Sequence, residues 1–505
     1  MTDLPLLSLI TWLPVAGAIV LLAVRQEAAA RLIGLLTSGL VFILFIILFT
    51  GFETQIGLPQ FVENTPWIDA LGVSYHFGVD GISLLLAGIT VLVWPLALLG
   101  SWKSVTTKIK EYQILMLLME TTLLGVFFSL DLFLFYLFWE AMLIPMYFLI
   151  GIWGDGKSAD AAVKFFIYAV FGSLLMLFAI IGLAYIHFQI TGTLSFDMAT
   201  LYNLSMPLNI QIWLALAFII AFAVKVPMVP FHTWLPDAIV LAVVLVKMAG
   251  YGFIRLVLPL FPEALPVLAP WVCAFAVIGI LYGGFIALAQ SDMKKLVAYS
   301  TISHAGFVIL GVFALNQHGI QGAVLQIVSL ALSTGGLFLA MMMLNERRNS
   351  WLIEDYGGLW HTIPVFSVFF MIFTLASLGL PGLSNFIGEF LILVGIFERN
   401  ILFAIFAAFG VILAAAYMLR MYKHVIFGPT TRKENREMND LSPRETIVLA
   451  CITVMIIWIG VYPNPFLRTM EASVQQLLTQ TNQLSSAEQI DQIFVKSTFN
   501  LNSSR

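Results

Sequence analysis

The chain has 505 residues, of which 60% are hydrophobic and only 10% charged, with a mean hydropathy of +0.98 and a formal net charge of -4. Soluble globular domains carry about 25% charged residues, so this composition excludes one and points to an integral membrane protein. Apolar stretches recur along the whole length and leave no room for a separate soluble domain, and nothing in the composition suggests a nucleic-acid partner.

Scanning for runs of about 20 predominantly apolar residues predicts fourteen spans, at 5–24, 31–51, 80–101, 112–130, 131–153, 164–190, 208–230, 239–261, 266–290, 295–315, 319–344, 362–396, 400–427 and 444–466. The fold class is therefore all-α, a polytopic membrane helix bundle, with residues 1–505 forming one integral membrane domain. The first span follows Thr2-Asp3-Leu4-Pro5 with neither a basic leader nor a small-residue cleavage site, and is expected to be retained. Asp80 opens the third span, where a carboxylate at a helix N-terminus is stabilised by the dipole. In the fourth, Glu120 lies among Met116-Leu117-Leu118-Met119, either as a member of a buried charge series or as a contact to an adjacent subunit.

Glu140 is the one formal charge in LFLFYLFWEAMLIPMYFLIGIWG, residues 132–154. A helix starting at Asp131 and rising about 1.5 Å per residue puts it roughly 13 Å deep, near the middle of the hydrocarbon layer. A carboxylate there costs about 3 kcal/mol, so such residues usually mark an ion or proton pathway. Pro145 frees the carbonyl of Ala141 close by. In the seventh span Lys225 stands just before Pro227 and Pro230, where a broken helix would expose carbonyls able to solvate an ammonium; the alternative is snorkelling to the interface. Lys247, in the eighth span, is too deep to snorkel easily and is followed by Ala249, Gly250 and Gly252, which suit an interior face. His304, in the tenth, follows Tyr299, Ser300, Thr301 and Ser303, whose hydroxyls are candidates for a hydrogen-bonded wire to a group that titrates near neutral pH. The twelfth span is long enough to reach roughly 52 Å as one helix, too long for a straight crossing, and Pro381 is expected to break it eight residues before Glu389.

The five groups Glu140, Lys225, Lys247, His304 and Glu389 all fall near mid-depth on different helices, so they describe a line within the membrane plane rather than a pore across it. The opposed effects of ion pairing and desolvation permit large swings in proton affinity when one partner moves, which a pump requires. Discontinuous helices in the seventh and twelfth positions suggest two inverted five-helix repeats, helices 4–8 at about 112–261 and helices 9–13 at about 266–427. Assigning alternate connections to the two sides places 17 of the 24 Lys and Arg on one of them, and the positive-inside rule then puts both termini outside. The polar tail at 467–505 is expected to be an outer-surface helix or partly disordered. Cys273 and Cys451 sit in apolar helices without CxxC spacing, and no nucleotide-binding glycine motif occurs, so no metal site and no cofactor site is expected in this chain.

The strings YHFGVDGISLLL (75–86), DLFLFYLFWEAMLIPMYFLIGIWG (131–154), AFAVKVPMVPFHTWLPDA (221–238), SDMKKLVAYSTISHAGF (291–307) and LASLGLPGLSNFIGEFLIL (375–393) resemble the antiporter-like membrane subunits of respiratory complex I, the M-type most closely. The resemblance runs nearly end to end. It implies a fourteen-helix fold and a proton-translocating subunit of an NADH:quinone oxidoreductase in a bacterial inner membrane. It further implies other membrane-arm subunits as partners, including neighbouring antiporter-like ones, beside protons and membrane lipids. FMN, iron–sulfur clusters and quinone would belong to the partner subunits. By motif position the resemblance makes Glu140 and Lys225 the paired entrance residues, Lys247 and His304 the central relay, and Glu389 the outward exit; from the residues themselves Glu120, Ser300 and Ser303 are possible accessories. The chain departs from the family pattern twice. It passes directly from Ala238 to Ile239-Val240-Leu241 where relatives have a further polar stretch, and Leu330 stands where they have a histidine. A sodium/proton antiporter subunit and a non-pumping scaffold therefore remain as alternative readings.

Overall fold

A computed structural model describes residues 4–154, 156, 158–237, 242–430 and 432–482. Its helices are α1 (Leu6–Ala23), α2 (Glu27–Thr50), α3 (Gly81–Gly100), α4 (Ile109–Phe128), α5 (Leu132–Ala141), α6 (Leu143–Trp153), α7 (Ser158–Thr191), α8 (Met198–Tyr202), α9 (Leu208–Lys225) and α10 (Ala242–Gly252). They continue with α11 (Leu258–Leu260), α12 (Leu265–Ala289), α13 (Met293–Val312), α14 (Gln317–Arg348), α15 (Leu359–Thr362), α16 (Pro364–Ser377), α17 (Ser384–Arg399), α18 (Ile401–Ile426), α19 (Lys433–Arg436) and α20 (Pro443–Val461).

Among the described residues twelve helices are long and apolar enough to cross a membrane, with α5 and α6 together forming one of them. Two further predicted spans consist of shorter pieces: 239–261 contains α10, a π-helical turn at Phe253–Val257 and α11, while 362–396 contains α16 and α17 separated by residues 378–383. The start points follow from local chemistry. The Asp131 carboxylate accepts from the amides of Phe133 and Leu134 and starts α5 where the sequence places it, and Asp80 forms a capping box with Ser83 at the head of α3.

One feature is absent from the all-helical expectation. Gln60–Ile68 (β1) and Val73–Val79 (β2) pair antiparallel, with Asn64 opposite His76 and a turn through Gly72, whose φ of 67° suits glycine. Val73, Phe77 and Val79 of the strand are buried, so it is held by packing against the bundle end. A C-terminal helix over 464–482 lies across the same end, where Ser473 Oγ accepts from the Gly81 amide at 2.9 Å. The tail is thus helical as far as the description reaches, and residues 483–505 lie outside it.

Burial sorts the helices by position. Nearly every side chain of α13 and α14 is buried, whereas α2, α7, α12 and α18 expose large apolar residues such as Leu36, Phe178, Trp271 and Ile412. Exposed apolar faces on spanning helices suit contact with lipid, where van der Waals packing and small residues bring helices together. The close approach of α14 and α17 is of this kind: a Cβ on Gly322 would meet the Ile392 amide nitrogen at 2.7 Å, and one on Gly395 would meet that of Gly319 at 2.5 Å.

Candidate functional site

The fifth predicted span is interrupted at Met142, two residues beyond Glu140. Pro145 has no amide to offer Ala141, and the chain resumes as α6 after a single irregular residue. At this break the carbonyl of Trp139 accepts from Lys225 Nζ at 2.9 Å, and the same ammonium lies 3.8 Å from the centre of the Trp139 ring. Glu140 is close enough to act on Lys225 electrostatically, yet no direct ion pair joins them, and Glu140 Oε1 is buried without a hydrogen-bond partner. Lys225 is therefore held by a backbone carbonyl, with the Glu140 charge nearby.

The proline-rich stretch ends the seventh span earlier than the predicted 230: α9 stops at Lys225 and residues 226–234 form turns. Trp234 Nε1 folds back to donate to the Val224 carbonyl at 2.9 Å, satisfying one of the acceptors that the helix end leaves free. Lys225, 1% exposed, is the last helical residue and does not snorkel. The short junction after Ala238 lies outside the described residues.

Lys247 is buried on α10, and its Nζ approaches Thr90 Oγ1 of α3 at 3.4 Å. It contacts none of the other four charged candidates. Toward the other half of the bundle, His304 Nδ1 of α13 lies 3.2 Å from Glu389 Oε1 of α17, although the angle between them is not that of a hydrogen bond. The same carboxylate oxygen accepts from Gln326 Nε2 of α14 at 3.1 Å. Glu389 Oε2 sits against the 378–383 break, only 2.5 Å from where a Cβ on Gly379 would be, and Gly379 adopts φ 78°.

The serine and threonine hydroxyls near His304 bond to backbone carbonyls and not to its ring. Ser300 and Thr301 donate to the Val297 carbonyl and Ser303 donates to Ile280, because helix hydroxyls reach the carbonyl three or four residues back, or a neighbour's, more easily than an imidazole. Glu120 is fully buried between α2 and α4, where Ser38 Oγ donates to Oε1 at 3.1 Å and Oε2 has no partner. Complete burial within this chain excludes the contact to an adjacent subunit, and none of the five midplane groups touches it.

Three contributors escaped the sequence reading. Trp139 acts through its ring face and through its backbone carbonyl, and for the carbonyl a residue name carries no signal. Gln326 and the unpartnered hydroxyls of Ser329 and Ser333 give α14 a buried polar stripe. Tyr417 of α18 buries an unpartnered hydroxyl close enough to Glu389 to sense its charge. The polar stripe had a visible signature, a glutamine and serines inside an otherwise apolar run. At about 100° per residue, Leu330 lies roughly 40° around α14 from Gln326, which meets Glu389, and about 60° from Ile327, which packs on Gly250 of α10. Leu330 thus lies beside the polar stripe, between the faces of α14 that meet Glu389 and Gly250.

Residues 129–414 match the NADH:quinone oxidoreductase/Mrp antiporter transmembrane family. The chain is 41% identical over 501 residues to NADH-quinone oxidoreductase subunit M of Rhodobacter capsulatus, covering 94% of this chain and 96% of that one. It is 40% identical to NADH-ubiquinone oxidoreductase chain 4 of Marchantia polymorpha, over 92% and 95% of the two chains. Its fold superimposes on a chain of respiratory complex I from Thermus thermophilus with a TM-score of 0.86 and 30% identity, covering 94% of this chain and 99% of that one. With a chain-length match to subunit M on one side and buried charges beside broken helices on the other, the protein belongs to the NADH:quinone oxidoreductase/Mrp antiporter transmembrane family, on its complex I subunit M branch.

Proposed function

We propose that this chain is the proton-translocating subunit M of a complex I-type NADH:quinone oxidoreductase, a translocase component that carries no redox chemistry of its own. One observation supports this reading above the others: Lys225, Lys247, His304 and Glu389 are buried and Glu140 half-buried, on five different helices and three of them beside breaks, in a chain of subunit M length and fold. Glu140 and Lys225 receive protons from the inner side, Lys247 is the central station, and His304 with Glu389 passes them on. The Trp139 carbonyl, which solvates Lys225, lets the ammonium stay buried while Glu140 changes partner. Gly379 and the 378–383 break let the Glu389 carboxylate rest against loosened backbone, as discontinuous helices do around transported ions.

The remaining expectations fit the same reading. The 112–261 and 266–427 units are taken as inverted repeats, with the basic connections inside, both termini outside, and a bacterial inner membrane as the location. Neighbouring membrane-arm subunits flank the chain, and FMN, iron–sulfur clusters and quinone reside in other subunits of the assembly. Glu140→Gln tests the proposal in membrane vesicles: assembly is expected to persist while proton uptake per NADH oxidised falls. Unchanged proton uptake per NADH would remove Glu140 from the pathway. Sodium-dependent transport in a preparation without the redox arm would instead favour an antiporter.

A further inference from the structure

The Lys225 ammonium sits in a cradle made by a single residue. Its Nζ donates to the Trp139 carbonyl at 2.9 Å and stands 3.8 Å from the centre of the same residue's ring, so backbone and side chain of one tryptophan face the charge together. Cation–π attraction holds an ammonium and does little for the neutral amine, and it is strongest where water is excluded. Both residues are buried, so this contact lies in that regime.

The indole is itself fixed by three helices. Its Nε1 donates to Ser173 Oγ of α7 at 3.2 Å, Phe135 of α5 stacks on it with ring centres 5.6 Å apart, and Phe222 of α9 meets it edge-on at 5.1 Å. Hydroxyls in spanning helices commonly turn back onto the carbonyl four residues earlier, as Thr11, Thr90 and Thr374 do here. Ser173, also buried, serves as acceptor for the indole of a neighbouring helix. Turning the ring off the ammonium breaks that hydrogen bond, so Ser173 sets the face that Lys225 meets. Glu140, whose charge acts on Lys225, makes no ion pair with it. The geometry is that of a parted pair, with the cation lodged on tryptophan.

We propose that Trp139, oriented by Ser173, is a station that keeps the Lys225 ammonium apart from Glu140 between transfers and so prevents the pair from closing early. The ammonium keeps all its protons while it changes partner. Forward transfer slows as the membrane potential rises against it, whereas closure of the pair, a movement within the membrane plane, does not. A short-lived parted state therefore loses protons chiefly under load. Trp139 and Ser173 are positioning residues in this scheme, which rests on the proposed place of Glu140 and Lys225 in the pathway.

The test uses the assembled complex in sealed vesicles and reads protons translocated per NADH oxidised, at high membrane potential and after valinomycin with potassium collapses it. A buried contact of this kind is worth roughly a tenfold change in the lifetime of the parted state. Trp139→Leu is therefore expected to lose, at high potential, roughly half of the protons that Glu140→Gln loses, and to recover them when the potential is collapsed. Trp139→Phe, which keeps a ring face, is expected to lose fewer. Ser173→Ala is expected to lower the ratio in the native background and to have no further effect beside Trp139→Phe, whose ring has no N–H to hold. Full stoichiometry in Trp139→Leu at high potential, or an equal loss at both potentials, would overturn the station. An equal cost of Ser173→Ala in both backgrounds would overturn its orienting role, and that comparison decides alone if Trp139→Leu does not assemble. Unchanged pumping in Glu140→Gln would instead remove the pathway assignment beneath the station, so the two failures are distinct.

Discussion

Gly379→Ala isolates what the helix break does for Glu389. Gly379 has φ 78°, a region that costs an L-residue about 1–2 kcal/mol, and its added Cβ would stand 2.5 Å from Glu389 Oε2. The carboxylate must retreat by roughly 0.8 Å to reach ordinary contact, which stretches its 3.1 Å bond from Gln326 and its 3.2 Å approach to His304 beyond useful range. Losing one hydrogen bond to a charged group is worth about 1.5–3 kcal/mol, equivalent to roughly tenfold or more in a transfer rate. Gly382→Ala is the matched control: it has φ 93° and nothing near its Cβ, so it bears the backbone cost alone. Both variants are expected to lower thermal stability of the purified complex by similar amounts, and only Gly379→Ala to slow proton translocation strongly, measured by dye quenching at equal NADH turnover. Equal pumping in the two would refute the claim that backbone at the break positions Glu389.

Leu330→Gln is expected to raise proton translocation per turnover, because an amide there can join Gln326 to the unpartnered Ser333 hydroxyl; unchanged pumping with normal assembly would show that the leucine is no barrier. Arg347→Ala is expected to destabilise the protein by about 3–5 kcal/mol in thermal unfolding, since it strips a buried Glu445 of its 2.7 Å partner and frees the carbonyls of Asn439 and Asp440. At the hairpin, burial alone would raise the Asp197 carboxyl, but the 2.8 Å His76 hydrogen bond and those from Thr200 outweigh it and hold the carboxyl below its ordinary value. Its contribution to stability is therefore present above the unfolded carboxylate range and lost as pH falls through the folded value. Asp197→Asn is expected to flatten the acid limb of a stability profile below about pH 4, and an unaltered acid limb would count against the pair.

Several elements were legible because one physical rule dominates each. Uncharged apolar runs must become membrane helices, and aspartates at 80 and 131 can only begin them, so the spans and their starts follow from hydropathy and capping. Proline removes an amide wherever it stands, which fixed the breaks at 227 and 381, though not how they are resolved: α9 ends outright, while the twelfth span restarts as α17. A third break, at Met142, was foreshadowed only by the carbonyl that Pro145 leaves free.

The five charges within apolar spans are likewise a sequence property, since charge in an apolar span is conspicuous whatever surrounds it. Their partners are not. That Lys225 rests on a tryptophan carbonyl, that the serines beside His304 bond to backbone, and that Glu120 faces Ser38 depend on which helix faces lie against one another. The hairpin belongs to the same class, because its strands are stabilised by the bundle end and not by their own pattern. Sequence alone determined which groups are expensive to bury, for that cost is paid residue by residue. Only the tertiary structure decided how each is compensated, because compensation is made by atoms distant in the chain.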